Sequence, residues 1–348
     1  MFVAWRDLRT ARGRFALIAG VVALITVLVG FLTGLTGGLA AQNVSAILGL
    51  DATRIVTGAG AQSFADSALT ADQVVQWQQT GAQVEPLGIS QLRAGSGDAS
   101  TGVALFGATD PLDPAVPVAD GTVSLSADAA TVLHAAAGDP VEIAGRSYTV
   151  AAITPAAWYS HTPVVWLTLG DWHQIARATG AGAGATVLIV RGDADWSAIE
   201  AATGTRSATP LQALPEIGAF RSEIGSLALI IGLLFAISAL VVGAFFVVWG
   251  MQRRGDVAIL KALGASHGSL RRDSLGQAAV VLAAGVGVGT AAVAAVGSVL
   301  PSAVPFLLSP LTTLAPAILL ILLGLVGAVV ALRPVTAADP LTALGSNR

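Results

Sequence analysis

Two charged residues that directly precede an apolar segment have side chains suited to ligand binding. Arg221 and Glu223 stand immediately before the uncharged segment 224–252. Charged residues at a membrane boundary commonly act as solvated anchors, and this is one interpretation of the pair. The other is a binding site at the twofold axis of a dimer. There the guanidinium groups would hold the carboxylates of an amphipathic ligand, and the glutamates would ligate a hard cation or close a gate.

A second group of donor atoms lies near residues 158–173. Tyr159, His161 and His173 carry oxygen or nitrogen atoms that can ligate a metal or haem iron. The competing interpretation is a turn whose aromatic side chains only pack the domain. The chain contains no cysteine and no two histidines four residues apart, so the sequence predicts no metal site of the protein's own.

The sequence lacks the motifs of common hydrolytic enzymes. Its one lysine, Lys261, follows leucine rather than the glycine of a P-loop, and no G-x-S-x-G or H-E-x-x-H pattern occurs. The sequence therefore predicts a protein that is not an enzyme, so that any ATP hydrolysis belongs to another chain. A net charge of −3 gives no indication of nucleic-acid binding.

Apolar segments must position these side chains. Of 348 residues, 54% are hydrophobic and 11% are charged, against about 25% charged in soluble domains. Residues 15–50, 224–252 and 274–332 contain no charged side chain. A membrane-spanning helix needs about 20 apolar residues, so the 59-residue third segment accommodates two helices, separated at Pro301–Pro305. The predicted transmembrane helices are residues 15–40, 224–250, 274–300 and 311–332.

The distribution of charge predicts the orientation of these helices. Residues 41–223 carry seven basic and seventeen acidic side chains, whereas the rest of the chain carries eleven basic and four acidic ones. Because positive charge stays on the cytoplasmic side, we expect a multi-pass protein of the cell membrane with both termini inside. The predicted cytoplasmic parts are an amphipathic N-terminal helix (1–14), a loop (251–273) and a tail (333–348). Residues 301–310 then form a short outer loop.

Residues 41–223 alternate between strand-like and helix-like patterns. Strands are predicted at 53–57, 103–106, 141–143, 148–153, 164–169 and 186–190, and helices at 70–80, 126–134, 170–178 and 196–202. The small-residue segments 94–101 and 179–185 are predicted loops, and 144–147 a hairpin turn. The predicted fold class is an α-helical membrane protein with four transmembrane helices and an inserted extracytoplasmic α+β domain.

Two further patterns indicate contact surfaces. Gly30 and Gly34, spaced as G-x-x-x-G, permit close helix approach, either in a homodimer seam or within the four-helix bundle. In the middle loop, Val257, Leu260 and Leu263 form a short apolar stripe. A solvated connector needs no such stripe, so a protein docking site is an alternative to a basic linker.

This loop carries a family resemblance. The segment RGDVAILKALGAS, from Arg254 to Ser266, resembles the signature R-x-E-I/V-A/G-I/V-L-K/R-A-L/I-G-A-S/T of FtsX-like (MacB-type) ABC transporter permeases. The segment RPVTAADPLTAL, from Arg333 to Leu344, is similar to the closing R-x-x-x-x-D-P-x-x-A-L of that family. The order of four spans with one large domain after the first also matches, so the resemblance extends over the whole chain. Asp256 stands where the family has glutamate.

The resemblance implies a permease homodimer, embedded in membrane lipid, that works with two copies of a separate ATP-binding ABC ATPase. ATP-driven closure of the ATPase would move the helices and the outer domain together, without a water-filled channel. The residues implied to couple the permease to the ATPase are Arg254, Asp256, Val257, Leu260, Lys261, Leu263 and Gly264.

Within the family, residues 159–165 and the modest size of the outer domain resemble the haem-exporting permeases. This resemblance implies haem as the transported ligand, with no intrinsic cofactor. Glu223 is then expected to ligate the iron and Arg221 to bind a propionate across the dimer seam, with Tyr159 and His161 as weaker candidates. The alternatives are an exporter of an antibiotic, peptide or lipoprotein, and a mechanical signalling permease that regulates an exterior hydrolase.

Overall fold

The computed structural model describes residues 12–109, 112–179, 184–252, 266–301 and 304–337. The chain divides into two compact units, and we call Leu39–Gly225 the sheet unit and Met1–Gly38 with Ser226–Arg348 the helical unit. The predicted N-terminal amphipathic segment lies almost entirely outside the described residues. The C-terminal motif lies largely outside them, and so do all of the proposed coupling residues: Arg254, Asp256, Val257, Leu260, Lys261, Leu263 and Gly264.

Helices and strands of the described residues are numbered in chain order. The helices are α1 (Arg12–Leu48), α2 (Ala71–Gln78), α3 (Ala127–Leu133), α4 (Leu169–Thr179), α5 (Trp196–Thr203), α6 (Pro210–Ala213), α7 (Gly218–Gln252), α8 (His267–Gly297) and α9 (Pro310–Ala337). The strands are β1 (Arg54–Gly58), β2 (Gln83–Ser96), β3 (Ala99–Ala108), β4 (Thr122–Ser126), β5 (Pro140–Ile143), β6 (Arg146–Thr154), β7 (Trp158–Tyr159), β8 (Thr162–Thr168), β9 (Val187–Arg191) and β10 (Thr205–Ala208).

In the part of the chain that the structure describes, four helices are long and apolar enough to cross a membrane, in agreement with the predicted number of spans. Their apolar parts are Phe15–Leu48, Gly218–Trp249, Arg272–Gly297 and Pro310–Val330. Helix α1 continues to Leu48, beyond the predicted end at residue 40, because no proline or charged residue interrupts it before Gly49. Helix α7 begins at Gly218, before the predicted start at residue 224. Both extensions belong to the sheet unit, and they carry side chains of the candidate site.

Glycines bring parts of the helical unit into close contact. A Cβ atom on Gly30 would lie 2.8 Å from Cγ2 of Val293 in α8, and Gly34 lies directly against the ring of Phe306. Of the two alternatives for these glycines, packing within one chain is therefore observed. A seam between two copies remains a prediction.

The sheet unit is a mixed α+β domain, as predicted. Strand order is β10-β1-β9-β2-β3-β8-β4-β6-β5, and β5 also pairs with β2. The six strands from β2 to β5 in this order therefore close into a ring. Strand β7 pairs only with β8, as a two-residue extension of a hairpin.

One predicted loop is wrong. Residues 94–101 lie mostly in strands, since β2 pairs with β3 from Gly88↔Gly107 to Ser96↔Ala99. Only Gly97 and Asp98 form the turn, and Gly97 supplies the positive φ of 56° that the turn requires. The small polar residues of this segment have low strand propensity, and pairing with a neighbouring strand overrides it.

The apolar core of the sheet unit fixes the ends of two long helices. Val44 and Ile47 of α1 and Ile217, which precedes α7, belong to one buried cluster with Phe106 and Tyr159. The end of α1 and the start of α7 are consequently held against strands of the same unit.

Candidate functional site

A tight turn between β7 and β8 carries the first side chain of the site. Trp158 pairs with Pro163 and Tyr159 with Thr162, so Ser160 and His161 are the two central turn residues. Their φ angles are 47° and 63°. Two positive φ values define the type I′ hairpin turn, which favours Asn-Gly. Left-handed conformations of other residues cost free energy, and such strain often marks functional positions.

Hydrogen bonds attach this turn to α1. The backbone N–H of Ser160 donates to the carbonyl oxygen of Asn43, and that of His161 donates to the carbonyl oxygen of Gln42, both at 3.0 Å. The backbone N–H of Trp158 donates to the hydroxyl oxygen of Ser45 at 2.9 Å. These three bonds offset part of the strain and fix the position of His161 beside the helix.

His161 contacts the carboxylate of Glu223. The imidazole Nε2 lies 2.8 Å from Oε2 and 3.0 Å from Oε1 of Glu223. The side chains are 31% and 37% exposed, so water reaches the pair and screens its charge. Two of the sequence-predicted site residues, 62 positions apart in the chain, therefore meet in the structure.

Asn43 is the third member of this cluster, and it is fully buried. Its side-chain Nδ2 donates to the carbonyl oxygen of Leu39 at 3.1 Å and to Oε2 of Glu223 at 3.2 Å. The same nitrogen lies 3.0 Å from Nε2 of His161. Among the described residues, its Oδ1 has no hydrogen-bond partner. We call Asn43, His161 and Glu223 the polar cluster.

Asn43 was not among the site residues predicted from the sequence. It lies in the uncharged segment 15–50, where the only usable signal was a polar amide near the end of a predicted span. Its role depends on the extension of α1 into the sheet unit, which the length of a membrane span does not predict.

The other sequence-predicted residues lie elsewhere. Arg221 is exposed, and its guanidinium makes no hydrogen bond or ion pair with any described residue. Tyr159 is buried, with its ring centroid 5.6 Å from that of Phe106, and burial raises the pKa of its hydroxyl. Nε2 of His173 donates to the carbonyl oxygen of Gly184 at 2.6 Å.

The donor atoms of the polar cluster are one imidazole, one carboxylate and one amide. No group of three or more His, Asp or Glu side chains suited to a metal ion occurs in the described part of the chain. The cluster offers a carboxylate, partly exposed and fixed by two neighbours, on a helix that continues as a candidate membrane span.

Among the described residues, four long apolar helices combined with an inserted α+β domain define the chain as a membrane protein. Residues 228–340 match the model of the FtsX-like permease C-terminal domain. This match includes residues 254–266 and confirms the resemblance of that segment to FtsX-like permeases.

Curated relatives are similar over their full length. The chain is 24% identical to a protein of Staphylococcus haemolyticus named as the hemin transport system permease HrtB, over 99% of both chains. It is 22% identical to the HrtB of Staphylococcus epidermidis, over 100% of both chains. An ABC transporter permease of Mycobacterium tuberculosis is 26% identical over 99% of both. These relatives are named as permeases rather than enzymes, in agreement with the absence of enzyme motifs.

A solved structure resembles part of the chain. The extracellular domain of the ABC-type transporter YknZ from Gram-positive bacteria matches 48% of this chain and 94% of its own, with a TM-score of 0.32 and 12% identity.

Proposed function

We propose that this protein is the permease subunit of an ATP-driven exporter that takes haem from the membrane. The full-length similarity to permeases named for hemin transport supports the substrate class. The observation that carries the proposal is the Glu223 carboxylate, held by His161 and Asn43 in the part of α7 that directly precedes its uncharged segment.

Haem combines an apolar ring with two propionates and an iron that accepts protein oxygen or nitrogen ligands. In the proposal, Glu223 ligates the iron and Arg221 binds a propionate. Two residues apart on a helix, the two side chains point about 200° apart, so they do not face one ligand from the same helix. In a homodimer, Arg221 of one copy and Glu223 of the other would face the same molecule. The exposed guanidinium of Arg221 is free to serve such a ligand.

His161 and Tyr159 are weaker candidates for the iron. His161 is already engaged with Glu223, and Tyr159 has its ring in the core of the sheet unit. Ligation by Tyr159 would require that this core open.

Energy would come from a separate ABC ATPase, in two copies, docked on the cytoplasmic loop 251–273. The residues proposed to couple to it are Arg254, Asp256, Val257, Leu260, Lys261, Leu263 and Gly264. In this MacB-type mechanism, ATP-driven closure moves the helices and the outer domain, and haem leaves the membrane without passing a channel.

The binding site is tested by titrating ferric haem into the purified full-length permease in lipid nanodiscs. We expect Glu223→Gln to weaken binding about tenfold or more, as for loss of a charged ligand, and to shift the Soret band. Arg221→Ala should weaken binding without shifting the band, because it leaves the iron ligand in place. Glu142→Gln, at an exposed acid in β5, is the control. An unchanged Soret band and affinity in Glu223→Gln would reject the site.

The substrate is tested with the permease and its ATPase reconstituted together. Haem should stimulate ATP hydrolysis, and deletion of the permease should make cells more sensitive to haem. Stimulation by an antibiotic, peptide or lipoprotein, without any response to haem, would contradict the proposed substrate.

A further inference from the structure

While Glu223 is ionised, the three contacts within the polar cluster cannot all be hydrogen bonds at once. If Nε2 of His161 carries a proton, it donates to Glu223 at 2.8 Å but faces the N–H of Asn43 at 3.0 Å. If Nε2 is unprotonated, it accepts from Asn43 but faces the carboxylate. Rotation of the Asn43 amide would place Oδ1 against the carbonyl oxygen of Leu39 and the carboxylate, so the present orientation is the better one.

Asn43 has two N–H donors and three neighbours. One N–H is used by the carbonyl oxygen of Leu39. The other lies within reach of both Glu223, at 3.2 Å, and His161, at 3.0 Å. This single donor therefore has two alternative acceptors, and His161 accepts it only when its own proton is on Nδ1.

We propose that Asn43 is a positioning residue that allows Glu223 to exchange His161 for a ligand. In the free protein, His161 and Asn43 both donate to the carboxylate. When the iron takes the carboxylate, the imidazole loses its acceptor, its proton moves from Nε2 to Nδ1 through solvent, and Nε2 accepts from Asn43. The second N–H of Asn43 and Nε2 of His161 then each keep a hydrogen-bond partner, which lowers the free-energy cost of the exchange. This inference rests on the proposed function and assigns His161 as the displaced partner, not as an iron ligand.

The turn that carries His161 suits this exchange. Its backbone bonds to Gln42 and Asn43 do not involve the imidazole, so they persist when Glu223 is withdrawn. His161 thus stays beside Asn43 and returns to Glu223 when the ligand leaves. Ligand affinity is set by competition between the iron and this imidazole.

The test is a ferric haem titration of the full-length chain in nanodiscs, recording affinity and Soret position. Asn43→Leu keeps the branched shape and removes both donors; we expect about tenfold weaker binding with an unshifted Soret band, because the iron ligand is retained. His161→Asn suits the left-handed backbone and cannot reach Glu223; we expect about fivefold tighter binding, again without a shift. Gln76→Leu is the control, because this exposed helical amide makes no side-chain hydrogen bond with the described residues.

Each result decides the inference. Wild-type affinity in Asn43→Leu would overturn it, and so would weaker binding with a shifted band in His161→Asn, since His161 would then ligate the iron. If Asn43→Leu fails to fold, His161→Asn alone tests the inference. Tighter haem binding would show that His161 competes with the iron for Glu223, and weaker binding would show that His161 ligates the iron. If the wild-type chain binds no haem saturably, the proposed function fails and this inference fails with it. Binding by the wild type without these differences rejects only the inference.

Discussion

At the scale of single residues, the polar cluster depends on two residues with strained backbone conformations. Backbone hydrogen bonds to α1 hold these residues in place. Ser160 and His161 both adopt left-handed conformations without being glycine. Only His161 contributes its side chain to the cluster. Ser160 contributes backbone bonds, so its side chain can be removed without removing a hydrogen bond among the described residues.

We therefore expect Ser160→Gly to raise the stability of the protein. Relief of left-handed strain is worth about 1–2 kcal/mol, and the greater freedom of glycine in the unfolded chain subtracts about 0.5–1 kcal/mol, which leaves a gain between about 0 and 1.5 kcal/mol. Thermal unfolding of the purified chain measures it. Ser147→Gly, in the extended strand β6, is the control and should lower stability. A loss of stability in Ser160→Gly as large as that in Ser147→Gly would contradict the left-handed strain at Ser160.

The two tyrosines of the chain are expected to resist ionisation. Burial, together with the negative charge of Asp171, raises the pKa of Tyr148 above its usual 10.0, although Arg146 opposes the shift. Burial also raises the pKa of Tyr159. Because the folded values exceed the unfolded ones, the stabilisation is complete below about pH 10 and is lost as pH rises through the folded values.

Tyrosinate absorbance followed against pH tests this expectation. In the native protein it should appear only above the usual range, and after denaturation it should appear at about pH 10. Tyr148→Phe and Tyr159→Phe assign the signal to each residue. Ionisation of either native tyrosine at its ordinary value would contradict the burial of its hydroxyl.

At the scale of elements, α1 and α8 approach closely through glycines. A Cβ atom on Gly285 would lie 2.7 Å from the carbonyl oxygen of Ala19 and 2.8 Å from Cβ of Val22. Gly287, two residues later, faces open space, with no atom within 4 Å of such a Cβ. Helix α8 therefore contains two glycines two residues apart, of which Gly285 packs against α1 and Gly287 faces open space.

Substitution of these glycines should separate packing from helix propensity. Gly285→Leu should destabilise the helical unit by about 1–3 kcal/mol or more, because the backbone of α1 cannot move aside without losing other contacts. Gly287→Leu should be neutral or stabilising by up to about 1 kcal/mol, because leucine favours the helix. Apparent melting temperatures of the two variants in detergent provide the measurement. Equal losses would indicate that α1 and α8 do not approach as described.

The same elements show what the sequence can predict. Long uncharged segments predicted the four helices because a membrane span has a minimum apolar length. Two of the predicted short helices carry N-caps in the structure: the side chains of Thr70 and Ser126 accept from the backbone N–H groups of Gln73 and Ala129. The continuation of α1 past residue 40 was missed, because the apolar length of a span does not determine where its helix ends.

The candidate site was predicted only in part, for a related reason. Glu223 was selected by its position before an apolar segment, and His161 by its residue type. That they contact each other depends on the β7–β8 turn, whose residues Ser160 and His161 lack the Asn-Gly signal of a type I′ turn. Their partnership with Asn43 is a long-range contact, and no local pattern encodes it.

At the scale of the whole molecule, the asymmetry of charge links the helices to the proposed function. An excess of basic residues in the termini and the middle loop predicts that these parts face the cytoplasm. Docking of an ATPase on residues 254–264 requires that orientation. Haem capture at Glu223 from the outer leaflet requires the sheet unit to face the opposite side.

Single cysteines test this orientation directly, because the natural chain has none to interfere. Asp98→Cys lies in the exposed β2–β3 turn, and Met251→Cys lies at the exposed end of α7. A membrane-impermeant maleimide added to intact cells should label Asp98→Cys at once and Met251→Cys only after permeabilisation. The unmodified chain is the blank. Labelling of Met251→Cys in intact cells would place the middle loop outside, where no ATP-hydrolysing partner could reach it, and both the orientation and the exporter mechanism would be rejected.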